Sequence, residues 1–208
     1  MKNRYFRWTI EFLSITAISY ILTTGIISYY WITVLIFLVL YSKLVEHRMS
    51  ISEAQVKIQV QLNFLYKVLF FAPQDNVRCT FHTPTWRNRL VQSCNYIPTG
   101  GGVGRTFTSD KGIIGKAYKQ KESFVVNFVD DQEYSRRMIS DYGYTRDEVK
   151  QRTTDRKSYF CHPLIDEKHK VLGLVYFDSS TYNKFPNTTN QQMRGLIIKL
   201  DLIRDSII

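Results

Sequence analysis

The chain lacks most of the residue patterns from which chemistry is read directly. It has only three cysteines, Cys79, Cys94 and Cys161, far apart and odd in number. In a cytoplasmic setting such thiols stay reduced, so a disulfide framework is excluded. No Cys/His spacing matches a zinc site, and His162 and His169 read as ordinary side chains. Neither a metal nor a cofactor is expected. The Gly115-Lys116 pair suggests a phosphate loop, but a Walker motif needs glycine at 110 and serine or threonine at 117. Asp110 and Ala117 stand there. The glycine run "PTGGGVGR" lacks the strand-to-helix setting of a dinucleotide fingerprint.

Charge is almost absent from one end. Between Trp8 and Leu40 the only charged residue is Glu11. Two apolar runs, "WTIEFLSITAISYILTT" and "IISYYWITVLIFLVLY", meet at Gly25. With interfacial flanks each is close to a membrane span of about 20 residues. A signal peptide would stop after one short run at a small-residue cleavage site; here a second run follows at once. Lys2, Arg4 and Arg7 precede the first run, and Lys43 and Arg48 follow the second. No lysine or arginine lies between them. The positive-inside rule then places both termini in the cytoplasm. The expectation is a multi-pass inner-membrane protein: a transmembrane hairpin over 1–45, a connecting helix over 46–72 and a soluble domain over 73–208. Its first partner is the lipid bilayer.

Residues 51–208 carry 23 Lys and Arg against 16 Asp and Glu. That excess suits anionic headgroups or an anionic ligand, or is simply a solvated surface. "ISEAQVKIQVQLNFLYKVLFF" has no glycine or proline. Ile51, Val56, Ile58, Leu62, Leu65 and Leu69 recur at helical spacing. Strands are predicted in "DNVRCTFHT" and "NRLVQSCNYI", a short helix in "SDKGIIGKAYKQ" capped by Ser109 or Asp110, and a strand in "SFVVNF". A polar, partly helical insert covers 131–155. The strand pair "SYFCHPLI" and "KVLGLVYFDSS" and a closing helix over 187–208, capped near Asn187 or Thr188, complete an α+β domain with one antiparallel sheet.

"KGIIGKAYKQKESFVVNFVDDQEY" and "DRKSYFCHPLIDEKHKVLGLVYFDSS", in that order, resemble the two signature segments of the GAF domain family, small-ligand sensor modules. The resemblance covers roughly 51–208. It implies that Gly112 and Gly115 let a small helix pack tightly, leaving Lys116 to face solvent or the membrane. It also implies a pocket between the sheet and the insert. There Tyr134, Arg137, Tyr144, Arg152 and Thr154 are the ligand-binding candidates, with Arg136, Tyr142 and Thr153 nearby. Tyrosine rings stack on a base and guanidinium groups hold phosphate. The expected ligand is therefore a small molecule such as a cyclic (oligo)nucleotide, not a nucleic-acid polymer. Free methionine sulfoxide reductases of this family place a redox cysteine where this chain has Ile114. No Ser/His/Asp set or paired carboxylates emerge from spacing either, so no enzyme is expected. The architecture resembles small two-span effectors of bacterial nucleotide-signalled antiphage systems. Their ligand drives homo-oligomerisation and membrane damage. The alternative is a membrane-tethered regulatory subunit whose GAF-like domain signals to a separate partner.

Overall fold

The computed structural model describes residues 12, 15–16, 19, 29–69, 76–151 and 155–204. The chain divides into two compact units, 1–54 and 55–208. Helix α1 (Tyr29–Val68) is 40 residues long and crosses that division. In the first unit Ile36, Phe37, Val39, Leu40 and Leu44 are all more than half exposed. Among the described residues no helix is long and apolar enough to cross a membrane. Most of the first apolar run lies outside the described residues, as do Ile26, Ile27 and Ser28 of the second.

In the second unit six strands form one sheet in the order β3-β2-β1-β6-β5-β4. They are β1 (Arg78–Pro84), β2 (Arg89–Gln92), β3 (Thr106–Thr108), β4 (Phe124–Asn127), β5 (Ser158–Ile165) and β6 (Val171–Ser179). Two three-stranded meanders meet where β1 pairs with β6, and every pairing is antiparallel. This is the α+β, single-sheet architecture expected from sequence. The three-residue β3 was not foreseen, because "TFT" is too short to show a period of two. The β5–β6 connection turns on Asp166, whose carboxylate accepts from the Lys168 and Lys170 amides, with His169 left-handed.

Alternation along the strands buries both faces. One face carries Phe81, Phe160, Val175 and Phe177 under Ile58, Leu62 and Leu65 of α1 and Met193, Leu196 and Leu200 of α5 (Gln191–Arg204). Gly173 lies on β6 against Phe81, and a Cβ there would overlap the phenyl ring. Val56 falls off the buried stripe, at 61 % exposure, together with Val60 and Phe64. The α5 cap is Asn190, whose side chain accepts from the Gln192 amide. It lies beyond the Asn187 and Thr188 expected from sequence.

The other face carries Leu90, Tyr159, Cys161, Leu174 and Tyr176. Helices α2 (Gly112–Gln120), α3 (Asp131–Ser140) and α4 (Arg146–Lys150) contribute Ile113, Ala117, Tyr134, Met138 and Val149 to the same core. The N-cap of α2 is Lys111, with no side-chain cap bond. Neither Ser109 nor Asp110 fills that role. Asp130 caps α3 by accepting from the Glu133 amide, and Thr145 and Glu148 form a reciprocal capping box on α4. These caps explain why a polar insert with little apolar content is helical at all.

Candidate functional site

Between this second sheet face and helices α2 to α4 lies a cleft of about 550 Å³. Its floor is Tyr159 of β5 and Tyr176 of β6. One wall comes from the α2 start, with Lys111, Gly112, Ile113 and Ile114, and another from Tyr134 and Met138 of α3. Tyr144, Glu148 and Gln151 close one side; Tyr96, Arg105 and Phe107 close the other. The rings are braced: Tyr134 stacks on Tyr159 at 6.5 Å, and Phe128 meets both edge-on at 5.1 and 5.5 Å. The Tyr159 hydroxyl donates to the Arg156 carbonyl at 3.0 Å.

Gly112 enters at φ +76°, and a Cβ there would stand 2.5 Å from the Tyr144 hydroxyl. At Gly115 a Cβ would press on the Ser109 carbonyl at 3.0 Å. The glycines of the "KGIIGKA" stretch thus serve close packing, against Tyr144 and the preceding turn. Lys116 does not simply face outward: its ammonium lies 5.3 Å from the centre of Tyr142 and 5.5 Å from that of Phe124.

Charge is concentrated at two places in the cleft. Arg78 and Asp178, directly paired across β1 and β6, form a two-bond bridge at 2.9 Å per bond. The Arg78 guanidinium also covers the Tyr96 ring at 4.5 Å. Arg156 Nε is 3.4 Å from the same carboxylate. Burial lifts the Asp178 carboxyl above its ordinary range, and Arg78 and Arg156 pull it partly back. For Arg78, burial works against the charge, but Asp178 outweighs it and holds the guanidinium more firmly protonated. At the helix side, Lys111 Nζ bonds Glu148 at 2.8 Å. That bond, with the Thr145 amide, draws the Glu148 carboxyl down to about 2. Arg105 is exposed and has no ion-pair partner among the described residues. The cleft therefore holds four cations, Arg78, Arg105, Lys111 and Arg156, against two carboxylates.

Of the residues proposed from sequence, Tyr134 and Tyr144 line the cleft together. Arg137 lies on α3 and bonds Glu133, Asp141 and the Asn127 carbonyl, with Phe128 under its guanidinium at 5.1 Å. It is not among the lining residues. Arg152, Thr153 and Thr154 lie outside the described residues. Tyr142 is buried and Arg136 is exposed. Sequence reasoning missed Arg78, Asp178, Tyr159 and Tyr176, which alternate inside apolar strands and read as core. It also missed Arg105 and Phe107, hidden behind the glycine run.

Sequence spacing also gave no Ser/His/Asp set, whereas the fold assembles one. His162 Nδ1 is 2.7 Å from Ser123 Oγ, and its Nε2 is 3.2 Å from Asp201 Oδ1. It ties β5 and the residue preceding β4 to α5 and does not line the cleft. Burial holds the imidazole below its ordinary range, against the pull of Asp201. All three cysteines are free and buried; burial pushes the Cys94 thiol up to about 12, and Cys79 and Cys161 also upward.

No family model and no curated protein matches the chain. Solved structures do. The GAF domain region of a presumed membrane protein from Geobacter sulfurreducens PCA is 19 % identical at a TM-score of 0.51, covering 78 % of this chain and 95 % of that one. The GAF domain of a two-component sensor histidine kinase from Bacillus halodurans is 16 % identical at 0.50, covering 71 % and 90 %. The fold is GAF-like. A type II free methionine-R-sulfoxide reductase from Thermoplasma acidophilum is also similar, 14 % identical at 0.48, covering 76 % and 91 %. The expectation that the chain is no enzyme is corrected by that finding: enzymes are among the solved structures similar to it. At these identities the likeness extends to fold alone. Ile114, where the reductase cysteine was looked for, stands on the cleft wall.

Proposed function

We propose that the chain is a membrane-attached sensor whose GAF-like domain takes an anionic, aromatic small molecule of nucleotide type in the cleft. The observation that carries this reading is the cleft itself. Its volume lies within the roughly 300–1,000 Å³ typical of small-molecule sites. Aromatic faces from Tyr96, Phe107, Tyr134, Tyr144, Tyr159 and Tyr176 surround it, and cations outnumber carboxylates. A base stacks on such rings, and a phosphate is attracted by the uncommitted Arg105. Calorimetry on the full-length chain with a panel of mono- and cyclic nucleotides tests it. A charge-assisted hydrogen bond contributes roughly 1.5–3 kcal/mol, so Arg105→Ala should weaken binding by about 10- to 100-fold. Absence of heat with every nucleotide would refute the ligand class.

The output we propose is oligomerisation through the helices, with the apolar N-terminal region disrupting the bilayer. The hydropathy of 8–41 and the broad exposure of apolar side chains at 36–44 support attachment. A periplasm-active reporter fused after Ile208 should be silent. The alternative, a tethered regulator of a separate partner, is favoured instead if ligand leaves the assembly state unchanged.

A further inference from the structure

Two side chains buried beside the cleft lack the partners their chemistry requires. His82 of β1 and Gln92 of β2 face each other directly across the strand pair, and both are fully buried. Neither His82 ring nitrogen has a hydrogen-bond partner among the described residues, and neither does Gln92 Oε1. The Gln92 amide is not ambiguous. Its nitrogen points at two carbonyls, Cys94 O at 3.0 Å and Gly101 O at 3.4 Å, so its oxygen is the idle end. Burial drives the His82 imidazole down to about 3, which keeps it neutral. A neutral imidazole offers one N–H and one bare nitrogen. The pair therefore presents one idle donor and two idle acceptors. Native proteins seldom leave such groups dry.

Their surroundings connect them to the cleft. The His82 ring is met edge-on by Phe107 at 5.4 Å and by Tyr176 at 5.9 Å, and both of those rings line the cleft. Phe107 sits on the three-residue edge strand β3. The glycine run covers Gln92 so closely that a Cβ on Gly102 would overlap its amide. Phe107 and Tyr176 thus stand between the His82 ring and the cleft, and the glycine loop covers Gln92.

We infer that His82 and Gln92 form an inner subsite of the cleft that takes a planar, neutral amide-type group, one presenting a donor and an acceptor side by side. A primary carboxamide presents that pair: its NH2 donates to Gln92 Oε1 and its oxygen accepts from the ring N–H turned towards Gln92, while the second ring nitrogen, on the far side of the imidazole, is left to water. The flanking Phe107 and Tyr176 rings favour an amide carried on an aromatic ring. Entry requires Phe107 and the glycine loop to move aside. The inference deepens the small-molecule reading above and rests on it for the cleft, but not for the phosphate.

Benzamide is the probe, because it carries the amide and ring without any phosphate. On the full-length chain, benzamide should shift the His82 ring 15N resonances, whereas N,N-dimethylbenzamide, which has no donor, should not. His82→Phe and Gln92→Leu should each lower benzamide affinity by at least 10-fold. The melting temperature of His82→Phe should hold or rise, since unpaired polar atoms are removed, whereas Gln92→Leu also loses the bonds to the Cys94 and Gly101 carbonyls and should melt lower. Binding of nucleotides with no response to benzamide would overturn the subsite and leave the ligand class standing. Benzamide binding without nucleotide binding would do the reverse. His82 nitrogens already hydrogen-bonded in the free protein, with a fall in melting temperature in His82→Phe, would mean a buried water only and would also overturn the inference.

Discussion

Gly112→Ala tests the packing of the cleft most directly, and the fold supplies its own controls. Two costs combine at this position. The backbone sits at φ +76°, where a side chain costs about 1–2 kcal/mol. The new Cβ would also stand 2.5 Å from the Tyr144 hydroxyl, and overpacking of that kind adds about 1–3 kcal/mol. Gly100 has nearly the same φ, +77°, with nothing within 4 Å of its Cβ position. Gly100→Ala therefore measures the backbone cost alone. Tyr144→Phe removes the clashing oxygen and leaves the next ring atom at 3.2 Å. For a domain of this size each kcal/mol lowers the melting temperature by about 2–4 °C. Gly100→Ala should thus cost about 2–8 °C and Gly112→Ala about 4–20 °C. In the Tyr144→Phe background the Gly112→Ala penalty should fall towards that of Gly100→Ala. Thermal unfolding followed by circular dichroism gives all four values. The reasoning is refuted if the two substitutions add within about 0.5 kcal/mol, the behaviour of sites that do not touch.

Glu148→Gln removes the Lys111 bridge. The Glu148 carboxyl is held from 4.5 down to about 2 in the folded chain. Its contribution is therefore present above pH 4.5 and lost as pH falls towards 2; the variant should flatten that part of an acid-unfolding profile relative to the native chain. On α1, Val60→Glu and Phe64→Glu change residues that are 61 % and 70 % exposed. They should leave the melting temperature almost unchanged and shift sedimentation towards monomer. Leu62→Glu, at a position with no exposure and in the core of its own domain, should instead prevent folding. Iodoacetamide should leave Cys79, Cys94 and Cys161 unmodified in the native chain and label all three in denaturant, as intact-mass spectrometry would report. Native labelling at any of them would contradict their burial.

The sequence by itself determined the elements whose signal is local. A 3.6-residue stripe without glycine or proline made the segment after residue 50 a helix, and β-branched and aromatic runs made β5 and β6 strands. The missing phosphate-loop serine excluded a Walker loop, and the close packing of the glycines around Lys116 was legible only through the resemblance to the GAF segment. Tertiary structure alone decided which residues meet. Arg78 and Asp178 are 100 positions apart, and nothing local marks either as a bridge. Tyr159 and Tyr176 looked like core because a strand buried on both faces hides which face holds a cleft. Arg137 looked like a ligand contact in a polar insert, yet its guanidinium is occupied by Glu133, Asp141 and the Asn127 carbonyl. His82 and Gln92 face one another only because the β1–β2 register sets them opposite. A side chain's partner is fixed by strand register and helix docking, which depend on the packing of the whole chain and leave no mark in the neighbouring residues.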